Sequence, residues 1–272
     1  EEHIDITISL NNLAIIYNVL GNYEKAESLY LKDLELSKRL LGEEHPMIAT
    51  SLDSLASLYY NLGKYNKAKP LRLQALKLRK DFFGEEHPDV ATSLHNLAEL
   101  YRKLGQYEEA ELLFLQSLEL GKKLFGERNI GVCNCIDNLA NLYFDLAKYS
   151  TAEPLYLEAL ELRKNLFEEE HPDIATSLHN LASLYYVMGR YEKVESLYLQ
   201  ALEMRKKILG KGHPIVANTL INLSVFYLKK RRYNEAEPLC LQALQILNEY
   251  FSEDHHQIQK TLDILKIIHN IK

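Results

Sequence analysis

The sequence predicts an all-α fold, a solenoid of tandem helix-turn-helix repeats, and three observations carry that prediction. One phrase recurs. Gly42 opens GEEHPMIATSLDSLASLY, Gly84 opens GEEHPDVATSLHNLAELY and Glu168 opens EEEHPDIATSLHNLASLY. Columns of like residues then hold a 42-residue register without an insertion or deletion: Tyr17, Tyr59, Tyr101, Tyr143, Tyr185 and Tyr227 form one such column. Within each copy the apolar residues fall at helical spacing, and no stretch alternates as a strand would.

The elements follow in order within one copy. Leu94, Leu97, Ala98, Tyr101 and Leu104 lie at i, i+3, i+4, i+7 and i+10, one buried stripe of an amphipathic helix. Pro88 marks its first turn, where no N–H is needed, and Asp89 suits the positive end of the helix dipole. Gly105 ends it, since a left-handed cap costs glycine little. A second helix is expected from Tyr107 to Phe125, with Ala110, Leu113, Phe114, Ser117, Leu118 and Leu124 on its apolar side. The short connection makes the two helices antiparallel neighbours. Pro70, Pro154 and Pro238 lie near the start of second helices, where one lost hydrogen bond kinks rather than breaks.

One hairpin cannot bury its stripe alone, but stacked layers can. Small residues recur at Ala14, Ala56, Ala98, Ala140, Ala182 and Ser224, and again at Ala26, Ala68, Ala110, Ala152, Val194 and Ala236. They let helix backbones approach, while the tyrosines fill holes between layers. Tyr23, Tyr65, Tyr107, Tyr149, Tyr191 and Tyr233 form a second aromatic column. Residues 256–270 repeat the first helix once more. There Lys266 and His269 replace the small residue and the tyrosine, as a polar terminal cap requires. The expected array is therefore a single domain over residues 1–272, six copies and a capping helix. It opens inside a repeat phrase, which predicts further sequence ahead of Glu1. Two departures stand out: GERNIG at Gly126 to Gly131 loses the His-Pro pair, and Arg231 replaces the glycine that ends the first helix.

Composition narrows the function. A net charge of -6 and a pI near 6.0 argue against nucleic acid or an anionic membrane as partner. No apolar run reaches the length of a membrane span. Cys133, Cys135 and Cys240 are too few for a disulfide framework, and Cys-Asn-Cys lacks redox or zinc spacing, so reduced thiols and a cytoplasmic setting are expected. Five histidines (His45, His87, His171, His213 and His255) share one loop slot, and His3 is expected there too. A column that marches along an axis cannot converge on a metal, so it is assigned a structural role at helix N-termini. Phosphate loops, dinucleotide fingerprints, nucleophile elbows and zinc-protease motifs are missing from the sequence. The pairs Glu43–Glu44 and Glu85–Glu86 are consecutive loop residues and read as solvated. No catalytic residue, metal or cofactor is expected.

The run Leu94-x-x-Leu97-Ala98-x-x-Tyr101 followed by Ala110-x-x-x-Phe114 resembles the tetratricopeptide repeat. The longer period and the phrases HPDVATSLHNLA, YEEAE and AEPLYLEALELRK resemble its kinesin light chain subclass. That resemblance implies a right-handed superhelix of about thirteen helices whose first helices line a concave groove. It also implies a protein or peptide partner; with no catalytic motif in the sequence, a non-enzymatic scaffold is expected, and a monomer is the expected state. Asn96 sits two residues before Ala98, about 200° around the helix from it. By resemblance, the column Asn12, Ser54, Asn96, Asn138, Asn180 and Asn222 then falls inside the groove. An amide both donates and accepts, which suits the backbone of an extended peptide. The alternative is that these amides bond to neighbouring repeats and only shape the superhelix. Specificity is expected from the variable neighbours Asp53, His95, Asp137 and His179, from Glu99 and Asn141 one turn on, and from Arg102 and Tyr186 beyond. Kinesin light chain grooves that take acidic tryptophan-containing peptides are more uniformly basic than this mixed face, so that ligand class is not expected. The rival function is a regulatory or spacer domain whose groove holds its own chain beside an effector domain.

Overall fold

The computed structural model describes residues 4–167 and 170–271; His3 and Glu168, both assigned places in the repeat, lie outside that range. Thirteen α-helices and no strand occur among the described residues. The first helices of the copies are α1 (Ile4–Val19), α3 (Pro46–Asn61), α5 (Pro88–Lys103), α7 (Ile130–Asp145), α9 (Pro172–Val187) and α11 (Pro214–Lys229). The second helices are α2 (Tyr23–Leu41), α4 (Tyr65–Phe83), α6 (Tyr107–Phe125), α8 (Tyr149–Leu166), α10 (Val194–Leu209) and α12 (Tyr233–Tyr250), and α13 (His256–Ile271) follows alone. Contacts gather the chain into two compact units, residues 1–142 and 143–272. Each is built the same way, as stacked helical hairpins of an α-solenoid.

The small columns explain how the layers close. Ala14, Ala56, Ala98, Ala140, Ala182 and Ser224 are fully buried, as are Ala26, Ala68, Ala110, Ala152, Val194 and Ala236. No larger side chain leaves room for the backbones to approach this closely. The first tyrosine column packs beside them and ties layers together: Tyr59 Oη donates to Glu27 Oε1 at 2.7 Å, and Tyr227 Oη to Glu195 Oε1 at 2.8 Å. In α13, His269 takes over the tyrosine's slot, its Nε2 lying 2.9 Å from Glu237 Oε1, while Lys266 and His269 stay exposed.

Helix starts are fixed by the histidine column. Nδ1 of His45, His87, His171 and His213 each accepts the N–H two residues on at 3.2 Å, and His255 does so at 3.4 Å. That satisfies an orphan donor of the first turn. The imidazoles of His87, His171 and His255 also stack on Phe83, Phe167 and Phe251 at the end of the preceding helix. In the departing loop, Asn129 Oδ1 takes over and accepts from Gly131 N–H at 2.7 Å. Helices α4, α8 and α12 run on through Pro70, Pro154 and Pro238.

Two local differences from the expected pattern have physical causes. The corner after the first helix needs a left-handed residue, and Ala147 (φ 56°) and Arg231 (φ 58°) adopt it where the other copies use glycine. Arg231 is therefore accommodated in the same turn rather than altering it. Helix α10 starts at Val194 instead of Tyr191, its entry closed by a Val194 N–H to Tyr191 carbonyl bond of 3.3 Å. Val194 is the one β-branched residue in its small column.

Candidate interaction face and an arginine ladder

The residues opposite the core stripe of the first helices form the candidate face. Asn12 is exposed, and Asn96, Asn138, Asn180 and Asn222 are half-buried. Asp53, His95, Glu99, Arg102, Asn141 and Tyr186 are half-buried as well, whereas Asp137 and His179 are buried at 5% and 8% exposure. Those two are therefore placed in the packing beneath the face, not at its surface.

Asparagines bond across layers. Asn138 Nδ2 lies 3.1 Å from His95 Nε2 and donates to Glu99 Oε1 at 3.2 Å, while its Oδ1 accepts from Asn141 Nδ2 at 3.3 Å. An amide nitrogen only donates, so His95 Nε2 accepts and the imidazole proton sits on Nδ1. Asn222 Nδ2 stands 3.1 Å from His179 Nε2, and Ser54 Oγ lies 3.5 Å from Asn11 Oδ1. The His95–Asn138, His179–Asn222 and Asn11–Ser54 contacts each span one repeat plus one residue. The carboxamides of Asn12 and Asn96 make no hydrogen bond within the described residues. The backbone carbonyl of Asn96 accepts from Arg72 Nη1. The column thus divides into amides already committed to layer packing and amides open to a partner.

Beneath the face runs a ladder that sequence reasoning did not single out. Arg79, Arg163 and Arg205 of the second helices occupy one slot and are all buried. Arg79 Nη1 reaches Asp53 Oδ2 and Ser93 Oγ, and Arg163 Nη1 reaches Ser177 Oγ. Arg205 Nη1 donates to His179 Nδ1 at 3.2 Å and to Thr219 Oγ1 at 2.6 Å, with Nη2 3.4 Å from Thr176 Oγ1. Burial, then the Arg205 charge, pushes His179 down to about 3, and burial lowers Arg205 to about 10, so near neutral pH the pair is a neutral imidazole and a charged guanidinium. Burial raises Asp53 despite Arg79, and lowers His95 despite Glu99. Gly121 interrupts the ladder. There a cavity of about 220 Å³ opens, lined by His95, Thr92, Asn134, Phe125 and Val132 among others.

The tetratricopeptide repeat profile matches residues 5–81, 53–123, 132–207 and 174–236, and a second profile of the same description matches 216–257. The chain belongs to the tetratricopeptide repeat family. Among solved structures this array is similar to BtubC (BKLC) from P. vanneervenii, at 30% identity and TM-score 0.64 over 74% of this chain and 80% of that one. It is also similar to a Podosopora anserina structure described as kinesin light chain with nearly identical TPR-like repeats, at 26% identity and TM-score 0.63 over 76% and 98%. RapI in its apo form shares the fold at 14% identity, with TM-score 0.66 over 97% and 96%. A search of curated proteins returns no match. The array is of the kinesin light chain-like type, a protein-interaction scaffold in general character.

Two further features frame the tetratricopeptide face. Among the described residues no three His, Cys, Asp or Glu side chains gather as metal ligands would, and no helix is long and apolar enough to cross a membrane. On the second helices, Leu31, Leu73, Leu115, Leu157, Leu199 and Leu241 form an unbroken column, each 41–54% exposed. Its signal is legible in the sequence at the same 42-residue register.

Proposed function

We propose that the array binds an extended segment of a partner protein along the face of its first helices, with Asn96, Glu99, Arg102 and Asn141 as contacts in the first unit. One observation supports this most. The buried small columns barely change from copy to copy, while slots on this face vary in charge and in shape: the Glu99 slot holds Ile15, Ser57, Glu99, Asn141, Ser183 and Val225. Packing alone explains the first pattern and is silent on the second. Asn96 is the half-buried amide best placed to grip a backbone, because among the described residues none hydrogen-bonds its carboxamide. Asn138 acts beside it by holding His95 and Glu99 in position.

The test is calorimetry on a peptide selected from a random library against the array. Asn96→Ala should weaken binding by about two- to tenfold with helicity and melting unchanged. Asn138→Ala should weaken binding and also lower the melting temperature, since it strips two half-buried partners of their donor. Unchanged affinity in Asn96→Ala would move the site elsewhere. The exposed leucine column favours one second reading, an apolar partner on the second helices. Loss of binding in Leu115→Ser, with Asn96→Ala silent, would select it.

A further inference from the structure

The interruption of the arginine ladder falls where the chain has otherwise kept the arginine's binding partners. Residues 91–98 read ATSLHNLA, and residues 175–182 read the same. In the later copy this phrase holds a guanidinium: Arg205 binds His179 Nδ1 and faces Thr176 Oγ1. In the earlier copy Thr92 and His95 occupy the same slots, and Gly121 stands where the arginine would start. His95 sits edge-on to Phe114 at 5.6 Å and 71°, as His179 sits to Tyr198 at 5.3 Å and 65°, so the two imidazoles are presented alike. Thr92 and His95 line the 220 Å³ cavity, which is open on the side of the exposed Thr92 and Pro88 and the half-buried Asn134.

We infer that this cavity is a guanidinium site, filled by an arginine side chain from the partner segment lying on the first-helix face. The inference deepens the function proposed above and rests on it for the source of the arginine, though not for the site itself. The chemistry is that of the Arg205 pocket. A neutral imidazole and a threonine hydroxyl accept from the planar fork, and apolar walls from Phe125 and Val132 flank it. One residue differs: Cys135 replaces the Thr219 hydroxyl, and its thiol is turned to the Phe114 carbonyl at 3.1 Å. A charge is supplied in exchange. Glu99 faces His95 from the same helix, and Arg72 faces it from α4, so a third charge entering here meets a balanced pair. The Arg205 pocket shows that the fold keeps a guanidinium charged with no carboxylate among its hydrogen-bond partners.

Occupancy carries a proton signature. Asn138 now fixes the His95 proton on Nδ1. A guanidinium donates to Nδ1, so the proton must move to Nε2 and the Asn138 carboxamide must turn its oxygen to receive it. Arg205 imposes that tautomer on His179, because Arg205 Nη1 cannot accept.

The test is a nitrogen-15 NMR titration with Nα-acetyl-arginine amide, with the lysine analogue as control and a short alanine-serine peptide bearing one arginine as the second arm. The expected result is a saturable shift of the His95 imidazole from the Nδ1–H to the Nε2–H tautomer, with arginine bound at least tenfold more tightly than lysine. Thr92→Val should weaken arginine at least threefold. Gly121→Arg should hold the Nε2–H tautomer without ligand and abolish the response. Its Cβ comes within 3.3 Å of Val132 Cγ2, so Gly121→Arg/Val132→Ala is the variant to use should the single change unfold. No saturable shift, or lysine binding equally, overturns the site. If the peptide binds no tighter than the capped amino acid and is indifferent to Asn96→Ala, the cavity stands and the partner-segment source falls.

Discussion

His179 shows what a single residue in the ladder contributes. Its imidazole is neutral in the folded array, held down to about 3 by burial and by Arg205, and titrates near 6.5 once unfolded. The unfolded chain therefore binds a proton that the folded chain refuses between those two values. The stability it contributes is complete above about pH 6.5 and is lost as pH falls toward 3. At pH 4.5 the loss from this residue alone should reach about 3 kcal/mol. His179→Gln keeps an acceptor for Arg205 and removes the titration. Urea unfolding at pH 7 and pH 4.5 should show the parent losing about 3 kcal/mol more than the variant. Equal losses would mean that His179 charges without resistance and that the ladder is looser than its distances imply.

At the scale of helices, the sequence spoke most clearly. Helix α6 runs from Tyr107 to Phe125, the bounds its apolar spacing and flanking Gly105 and Gly126 predict. The histidine column caps helices as its slot before proline suggests. These features are local, since a turn's chemistry or a stripe's period is complete within a few residues. What was illegible is set by the next layer. A helical wheel puts Asn96 and Asn138 alike on the outer side, but only stacking decides that the Asn138 carboxamide meets His95 and Glu99 while Asn96 is reached at its backbone carbonyl by Arg72. The same holds for Asp137 and His179, expected on the face and buried instead beneath it. The arginine ladder was hidden because a long polar side chain on a second helix reads as solvated until its partners in two other helices are known. The element-scale test is the small column. Ala98 is fully buried between helices, so Ala98→Leu should overpack and cost about 1–3 kcal/mol in chemical unfolding. A variant as stable as the parent would show that the helices can move apart without penalty.

For the whole molecule, each unit combines an invariant core with two differently decorated outsides. The first helices carry a varied, half-polar face, with the Gly121 cavity beneath it in the first unit, and the second helices carry a uniform column of half-exposed leucines. Variation suits discrimination among partners and uniformity does not, which is why the first-helix face is assigned the partner segment. Photo-cross-linking tests that assignment most directly, using a selected peptide with a benzophenone at successive positions and mapping its adducts by mass spectrometry. The account predicts adducts concentrated on α5 and α7 around Asn96, Glu99, Arg102 and Asn141. Adducts on α4 and α6 around Leu73 and Leu115, with the first helices unmarked, would contradict it.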